Sequence, residues 1–127
     1  MIYLCNGRSA TMMHDPRIKE IHEPISEAEF INLLHKTHWK SAIGHENLAD
    51  CLTRLTGKKV IKNRLNLELK YDDRVILVTL TGRLPEHPKY VEYKGRLTFA
   101  YVRFEKQSVD DVKISQNEIS ELIKMEA

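Results

Sequence analysis

The stretch that decides the fold spans residues 44–57 and has the sequence GHENLADCLTRLTG. Leu48, Leu52 and Leu55 recur at alternating spacings of four and three residues, which is the periodicity of an amphipathic helix. Gly57 follows at a position typical of a helix end, because glycine adopts left-handed backbone angles without strain. We therefore predict a helix that buries its leucine face and ends at Gly57.

The residues before this helix alternate between strand and helix signals. Residues 2–5 form a short apolar run ending at Asn6, which predicts a buried strand followed by a turn. Residues 18–24 predict an edge strand, because the proline at its end cannot donate a backbone hydrogen bond to a neighbour. Ser26 and Glu29 form a capping box, so we expect an amphipathic helix from there to about Lys36.

The remaining segments carry weaker signals. Period-two alternation on both sides of a Tyr-Asp-Asp turn predicts a β-hairpin from residues 60–70 and 74–80. An apolar run predicts a further strand at residues 97–104. We interpret residues 37–43 as a connector and residues 81–95 as a surface loop, and a second capping box at Ser115 predicts a C-terminal helix. The whole pattern favours an α/β (α+β) fold with a mixed central β-sheet flanked by helices.

Composition places the chain among ordinary soluble domains. It has 127 residues, of which 42% are hydrophobic and 30% charged, and we expect one compact domain. The 20 Lys and Arg residues against 18 Asp and Glu give a formal charge of only +2. A protein that coats nucleic acid needs many more cations, because its affinity scales with the phosphates neutralised. Any anion site must therefore be local.

The cysteines, the histidines and the hydropathy exclude several classes of protein. Cys5 and Cys51 match no metal-ligand spacing, and we predict both to be small core residues with free thiols. The histidines form no recognisable metal set either. No apolar run reaches the length of a membrane span, and residues 1–5 lack the features of a signal peptide, so we expect a cytoplasmic protein with no membrane partner.

His45 is the first candidate for chemistry. It follows Gly44 at the start of the predicted helix, where unpaired backbone N–H groups and the helix dipole favour an anion. Helical geometry places His45 and Leu52 on nearly the same side, so we expect the imidazole to face the protein rather than solvent. The alternative, favoured for a single histidine on such a stripe, is a structural side chain hydrogen-bonded to a neighbouring carbonyl.

Arginines near the two predicted strands are the second set of candidates. Residues 54–64 contain five cations and no acid, and most of them are typical of solvated loop charges. Arg64 precedes a predicted strand and could pair its planar guanidinium with a phosphate. Arg83 and Glu86 follow the next strand and either belong to a site or form an exposed ion pair in a turn.

Four short motifs, taken in order and spacing, resemble the viral type III anti-CRISPR ring nucleases. The resemblance covers roughly residues 1–106. Each motif is short, and the specificity lies in the set: Tyr3-Leu4-Cys5-Asn6, Ser41-Ala42-Ile43-Gly44-His45, Lys62-Asn63-Arg64 and Gly82-Arg83-Leu84-Pro85-Glu86.

The resemblance implies a homodimeric phosphodiesterase that needs neither metal nor cofactor. Such an enzyme degrades cyclic tetra-adenylate, the messenger of type III CRISPR defence, to linear di-adenylates and so silences that defence. The family's catalytic histidine and glutamate match His45 and Glu86, and Arg83 is expected to assist at the phosphate. The remaining ligand-contacting positions match Asn6, Ser9 and Arg64. To these we add Asn47, because it lies in the first predicted turn of the helix.

Two features depart from the family pattern. His87 and Pro88 follow Glu86 where relatives often have glycine, which affects the expected path of that loop. The acidic, charged segment at residues 107–127 lies beyond the similarity. We therefore divide the chain into a ring-nuclease-like domain, residues 1–106, and a C-terminal helical extension, residues 107–127.

Two other functions are alternatives to the ring nuclease. A non-catalytic protein that binds cyclic oligoadenylate, either to sequester or to sense it, would use the same arginines but has no need of a general acid at His45. A regulator that binds duplex DNA would need a concentrated basic helix, and residues 37–56 offer too few exposed cations, so we expect no DNA partner.

Overall fold

The protein is built around one five-stranded sheet, with helices packed on one of its faces. The computed structural model describes residues 1–7, 17–82, 90–93 and 95–106. Within them the order along the chain is β1 (Ile2–Asn6), β2 (Ile18–Ile25), α1 (Glu27–Lys36), β3 (Trp39–Ala42), α2 (Glu46–Thr56), β4 (Arg74–Leu80), α3 (Tyr90–Tyr93) and β5 (Leu97–Lys106).

The sheet is mixed, and its parallel half decides where a site can form. The spatial order is β2-β5-β4-β1-β3, with β1 parallel to both β3 and β4 and with β5 antiparallel to β4 and β2. Parallel strands end at the same side of a sheet, so β1, β3 and β4 finish together, at Asn6, Ala42 and Leu80. We call this side the carboxyl edge.

The helix α1 begins with the predicted capping box. The Glu29 N–H donates to Ser26 Oγ over 3.1 Å, and the Ser26 N–H donates to Glu29 Oε1 over 3.1 Å. The inner face of α1 buries Phe30 and Leu34, and the Phe30 ring stacks on that of Phe99 with centroids 4.2 Å apart. The prediction of α1 is confirmed, and Phe99 lies on β5, so this helix is fixed to the antiparallel half of the sheet.

The helix α2 is also confirmed, including its end. Gly57 adopts φ 73°, in the left-handed region, and its N–H donates to the Thr53 carbonyl. The inner face buries Leu48 and Leu52 in a core cluster that also contains Leu4 of β1 and Ile76 of β4. Together α1 and α2 cover one face with a single cluster of buried side chains, which accounts for one domain.

The opposite face of the sheet has a smaller apolar cluster. It contains Cys5, Val75, Leu77, Val102 and Phe104, with Leu67 and Leu69 packed against them. An extended segment, rather than a helix, therefore covers this face among the described residues. No helix in the described parts of the chain is long and apolar enough to cross a membrane.

The predicted hairpin is wrong in one of its two strands. Residues 74–80 form β4, but residues 60–70 form no strand and pair only through an isolated bridge between Ile43 and Lys62. Both hydrogen-bonding sides of β4 are already occupied, by β1 and by β5. The alternation in residues 65–69 instead reflects leucines packed onto the face of the sheet.

Two segments interpreted as irregular contain regular structure. The connector at residues 37–43 contains β3, because Trp39 to Ala42 pair with β1 in parallel at the edge of the sheet. The loop at residues 81–95 contains the short helix α3. The expected edge strand and the strand at residues 97–104 are confirmed as β2 and β5, whereas the predicted C-terminal helix and domain boundary extend into residues 107–127, outside the described residues.

Both cysteines are buried and free, as predicted. Burial raises the pKa of the Cys5 thiol to about 12. Burial also raises the pKa of Cys51, to about 11, with a smaller contribution from Glu27 and an opposing one from Arg54. Neither thiol is ionised near neutral pH, so neither is a nucleophile there.

We expect Ser26→Ala to destabilise the protein by about 1 kcal/mol, because it removes the acceptor for the Glu29 N–H at the start of α1. Ser26→Thr keeps that acceptor and should stay close to wild type. Urea unfolding of the three proteins measures the difference. Equal stability of Ser26→Ala and wild type would show that the capping box contributes nothing in this context.

Candidate functional site

The carboxyl edge contains predicted site residues from two separate parts of the sequence, the start of the chain and the segment around His45. Asn6 ends β1, and the loop between β3 and α2 consists of Ile43, Gly44 and His45. Because β3 lies beside β1, this loop crosses the end of β1 and comes within reach of the Asn6 side chain. Two candidate residues distant in sequence therefore meet here.

Both backbone polar groups of Gly44 are held by side chains. Its N–H donates to Asn6 Oδ1 over 2.9 Å, and its carbonyl accepts from Arg64 Nε over 3.1 Å. The structure thus brings together Asn6 and Arg64, predicted as ligand contacts, on the residue that precedes His45. Their main observed contact is to the backbone, which makes both of them positioning groups for the His45 loop.

Arg64 reaches Gly44 because the segment before it is anchored to β3. The Asn63 N–H donates to the Ile43 carbonyl and its side-chain amide donates to the Ser41 carbonyl, each over 2.8 Å. The Ser41 hydroxyl donates to the Ile61 carbonyl over 2.6 Å. Sequence reasoning assigned no role to Ser41 or Asn63. Ser41 is buried, at 6% exposure, but it follows Lys40 in a segment without a clear strand pattern, so the sequence offered no signal for its role.

His45 lies in a different conformation from the one predicted. It is the N-cap of α2 with φ −126° and ψ 127°, its side chain caps no backbone group, and the residue is exposed. The expectation that its imidazole faces the protein is wrong, because helical angular spacing does not apply to a residue with extended backbone. The alternative of a hydrogen bond to a neighbouring carbonyl is also absent among the described residues.

The start of α2 offers backbone donors beside this imidazole. The first hydrogen bond of the helix runs from the Ala49 N–H to the His45 carbonyl over 3.0 Å. The N–H groups of Glu46, Asn47 and Leu48 precede it and have no partner within the helix. Asn47 lies in this first turn, as predicted, and its side chain is exposed. Glu46 adds one negative charge to the same turn. The positive charge of the Arg64 guanidinium offsets it in the net charge of the site.

The basic stretch at residues 54–64 does not converge on the site. The Arg54 guanidinium lies over the ring of Tyr90, 5.3 Å from its centroid. Arg54 is in the last turn of α2, about 12 Å along the helix axis from its start. Of the cations in this stretch, Arg64 is the one whose side chain contacts the His45 loop.

Three of the predicted site residues, Ser9, Arg83 and Glu86, lie outside the described residues. The described chain does show where their neighbours lie. Gly7 donates its N–H to the Val78 carbonyl of β4 over 2.9 Å. β4 then ends at the carboxyl edge, and residues 81–82 follow it there. In the described ranges no group of three His, Cys, Asp or Glu residues could hold a metal ion.

Comparison with known proteins assigns the fold to a family. The sequence of residues 2–92 matches the family described as STIV B116-like. The chain belongs to this family. In structure it is similar to B116 of Sulfolobus turreted icosahedral virus, with a TM-score of 0.68 and 22% sequence identity over 80% of this chain and 97% of B116. No curated protein matches the chain.

The similarity to B116 establishes the α+β fold and extends over nearly the whole of B116. The matched range of the family includes every predicted site residue, from Asn6 to Glu86. It ends before β5 and residues 107–127, so the family comparison carries no information on the C-terminal segment.

We expect Asn6→Ala to loosen the His45 loop, because the Gly44 N–H loses its acceptor. The loss should lower the free energy of unfolding by about 1 kcal/mol and speed hydrogen exchange at the Gly44 amide. Asn6→Asp retains an acceptor oxygen and serves as the matched control. Native-state hydrogen exchange by NMR makes the measurement, and an unchanged Gly44 rate in Asn6→Ala would contradict the positioning role.

Proposed function

We propose that this protein is a ring nuclease that cleaves cyclic tetra-adenylate to linear di-adenylates without a metal ion, and thereby silences type III CRISPR defence. The single observation that carries the proposal is the exposed, uncapped imidazole of His45 at the start of α2, on a loop that Asn6 and Arg64 hold at Gly44. The choice of cyclic tetra-adenylate as the substrate rests on the sequence motifs that resemble those of the viral ring nucleases.

The proposed reaction uses the ribose itself as the nucleophile. The 2′-hydroxyl loses its proton to solvent and its oxygen attacks the adjacent phosphorus, while the bond to the 5′-oxygen of the next nucleotide breaks. The products are a 2′,3′-cyclic phosphate and a free 5′-hydroxyl. An alkoxide leaves poorly, so protonated His45 gives its proton to the 5′-oxygen, a step that contributes roughly 10² to 10⁴-fold.

Backbone N–H groups and cationic side chains stabilise the negative charge on the phosphate oxygens in the transition state. The unpaired N–H groups at the start of α2 and the helix dipole favour a phosphate next to His45. The Nε of Arg64 is used by Gly44, which leaves its two terminal nitrogens free of described partners and able to bind a phosphate oxygen. Arg83 and Glu86 remain predictions, Arg83 at the phosphate and Glu86 as the group that favours protonated His45.

A homodimer would fit this substrate. A ring of four identical nucleotides contains a twofold axis, so a dimer with the same symmetry can present its two His45 residues to opposite phosphates. One chain offers few cations at the carboxyl edge, where the carboxylate of Glu46 in the first turn of α2 offsets the charge of Arg64. Two chains double that set around the four phosphates.

Replacing His45 should separate cleavage from binding. We expect His45→Ala to slow cleavage of cyclic tetra-adenylate by at least about 10²-fold and to leave its affinity within a few-fold, since a general acid acts in the transition state. Chromatography of the products and calorimetry of binding make the two measurements. His38→Ala is the matched control, because His38 is also exposed but precedes β3 at the opposite side of the sheet.

The same assay tests the chemistry. Cleavage should persist in EDTA, and a complete loss that Mg²⁺ or Mn²⁺ restores would overturn the metal-free mechanism. Cleavage by His45→Ala within a few-fold of wild type would remove His45 from it. Intact ligand recovered from wild type after tight binding would show a sequestering protein instead.

Stoichiometry tests the shared site. We expect calorimetry to give about half a ligand per chain, because one twofold-symmetric ring binds across one dimer. Light scattering on the same sample should give the mass of two chains. One ligand per chain, or an active monomer, would show that each chain has a complete site.

A further inference from the structure

Gly44 differs from the other glycines of the chain. The sequence has five glycines, and all of them lie in the described residues. Four have a positive φ, a conformation in which other residues are strained, so the backbone accounts for them: Gly7, Gly57, Gly82 and Gly95. The φ of Gly44 is not positive. Its backbone conformation therefore does not account for the glycine.

Packing within the fold does not account for it either. A Cβ on Gly44 would lie 3.6 Å from Arg64 Cγ, 3.7 Å from Arg64 Nε and 3.8 Å from Asn6 Oδ1, its nearest neighbours in the described chain. These are ordinary van der Waals distances, so neither side chain would have to move. Glycine loses more conformational freedom on folding than alanine does. The fold thus has room for an alanine at position 44 and gains nothing from the glycine.

The space that a side chain would fill lies at the candidate site. The Cβ would lie beside the Arg64 guanidinium, where the proposed function has a phosphate bind, and on the residue directly before His45. Gly44 is only half-buried, so solvent or a ligand can reach this part of the backbone. Glycine is the residue that allows a ligand to approach the backbone closely.

We propose that Gly44 is a ligand-binding determinant, because its missing side chain leaves room for the sugar-phosphate backbone of a nucleotide to lie against its Cα. A methyl group at this position would overlap with the ligand and with no described part of the protein. The identity of the ligand rests on the proposed function. The role of Gly44 concerns binding, and it holds whether or not the bound nucleotide is cleaved.

Gly44→Ala tests the role by separating stability from binding. We expect a urea midpoint equal to or above that of wild type, because alanine restricts the unfolded chain. The affinity for cyclic tetra-adenylate should fall at least about ten-fold, because the added methyl group overlaps with the ligand. Calorimetry in the His45→Ala background, with and without Gly44→Ala, keeps the ligand intact during the measurement.

Hydrogen exchange shows whether the loop itself has changed. The amide at position 44 should exchange at the wild-type rate in Gly44→Ala, because its hydrogen bond to Asn6 Oδ1 remains. Gly57→Ala is the matched control. Gly57 has φ 73°, so alanine there should lower the urea midpoint, and it lies at the far end of α2 from His45, so the affinity should stay within a few-fold.

Each possible outcome decides the role of Gly44. An unchanged affinity in Gly44→Ala would overturn it. A urea midpoint below that of wild type would also overturn it, since the glycine would then serve the fold, and so would an absence of binding without the substitution. Binding that depends on Gly44, in a wild-type protein that does not cleave the ligand, would overturn the nuclease and retain the role of Gly44.

Discussion

The backbone of Gly44 and the two side chains that hold it connect the sheet to the candidate site. Asn6 fixes its N–H from the end of β1, and Arg64 fixes its carbonyl from the segment that follows α2. The residue after it, His45, has the extended backbone angles of an N-cap. The direction of the imidazole and the start of α2 thus depend on two hydrogen bonds that tie three distant parts of the chain together.

This arrangement requires a parallel pair of strands. If β3 ran antiparallel to β1, it would end at the opposite side of the sheet, and the loop at Gly44 could not reach Asn6. The same geometry brings the end of β4 to the site, because β4 is also parallel to β1. The antiparallel half of the sheet has another role. It holds α1 through the stacked Phe30 and Phe99 rings.

Local signals predicted the helices and several strands with little error. The capping box at Ser26 and the glycine at Gly57 act within one turn of chain, so their effect does not depend on distant residues. The error over residues 60–70 has the opposite origin. Alternation shows that one side of a segment is buried, but it does not show whether the segment pairs with a strand or lies across a sheet.

The sequence by itself determined the two helices, the candidate residues at the start of α2 and the burial of both cysteines, because each depends on periodicity or on contacts between near neighbours. Only the tertiary structure decided that His45 is exposed and that Asn6 and Arg64 meet at Gly44. Those facts follow from strand order and direction, which depend on pairing between segments about forty residues apart, as between Ile2 and Trp39, and leave no local pattern in the sequence.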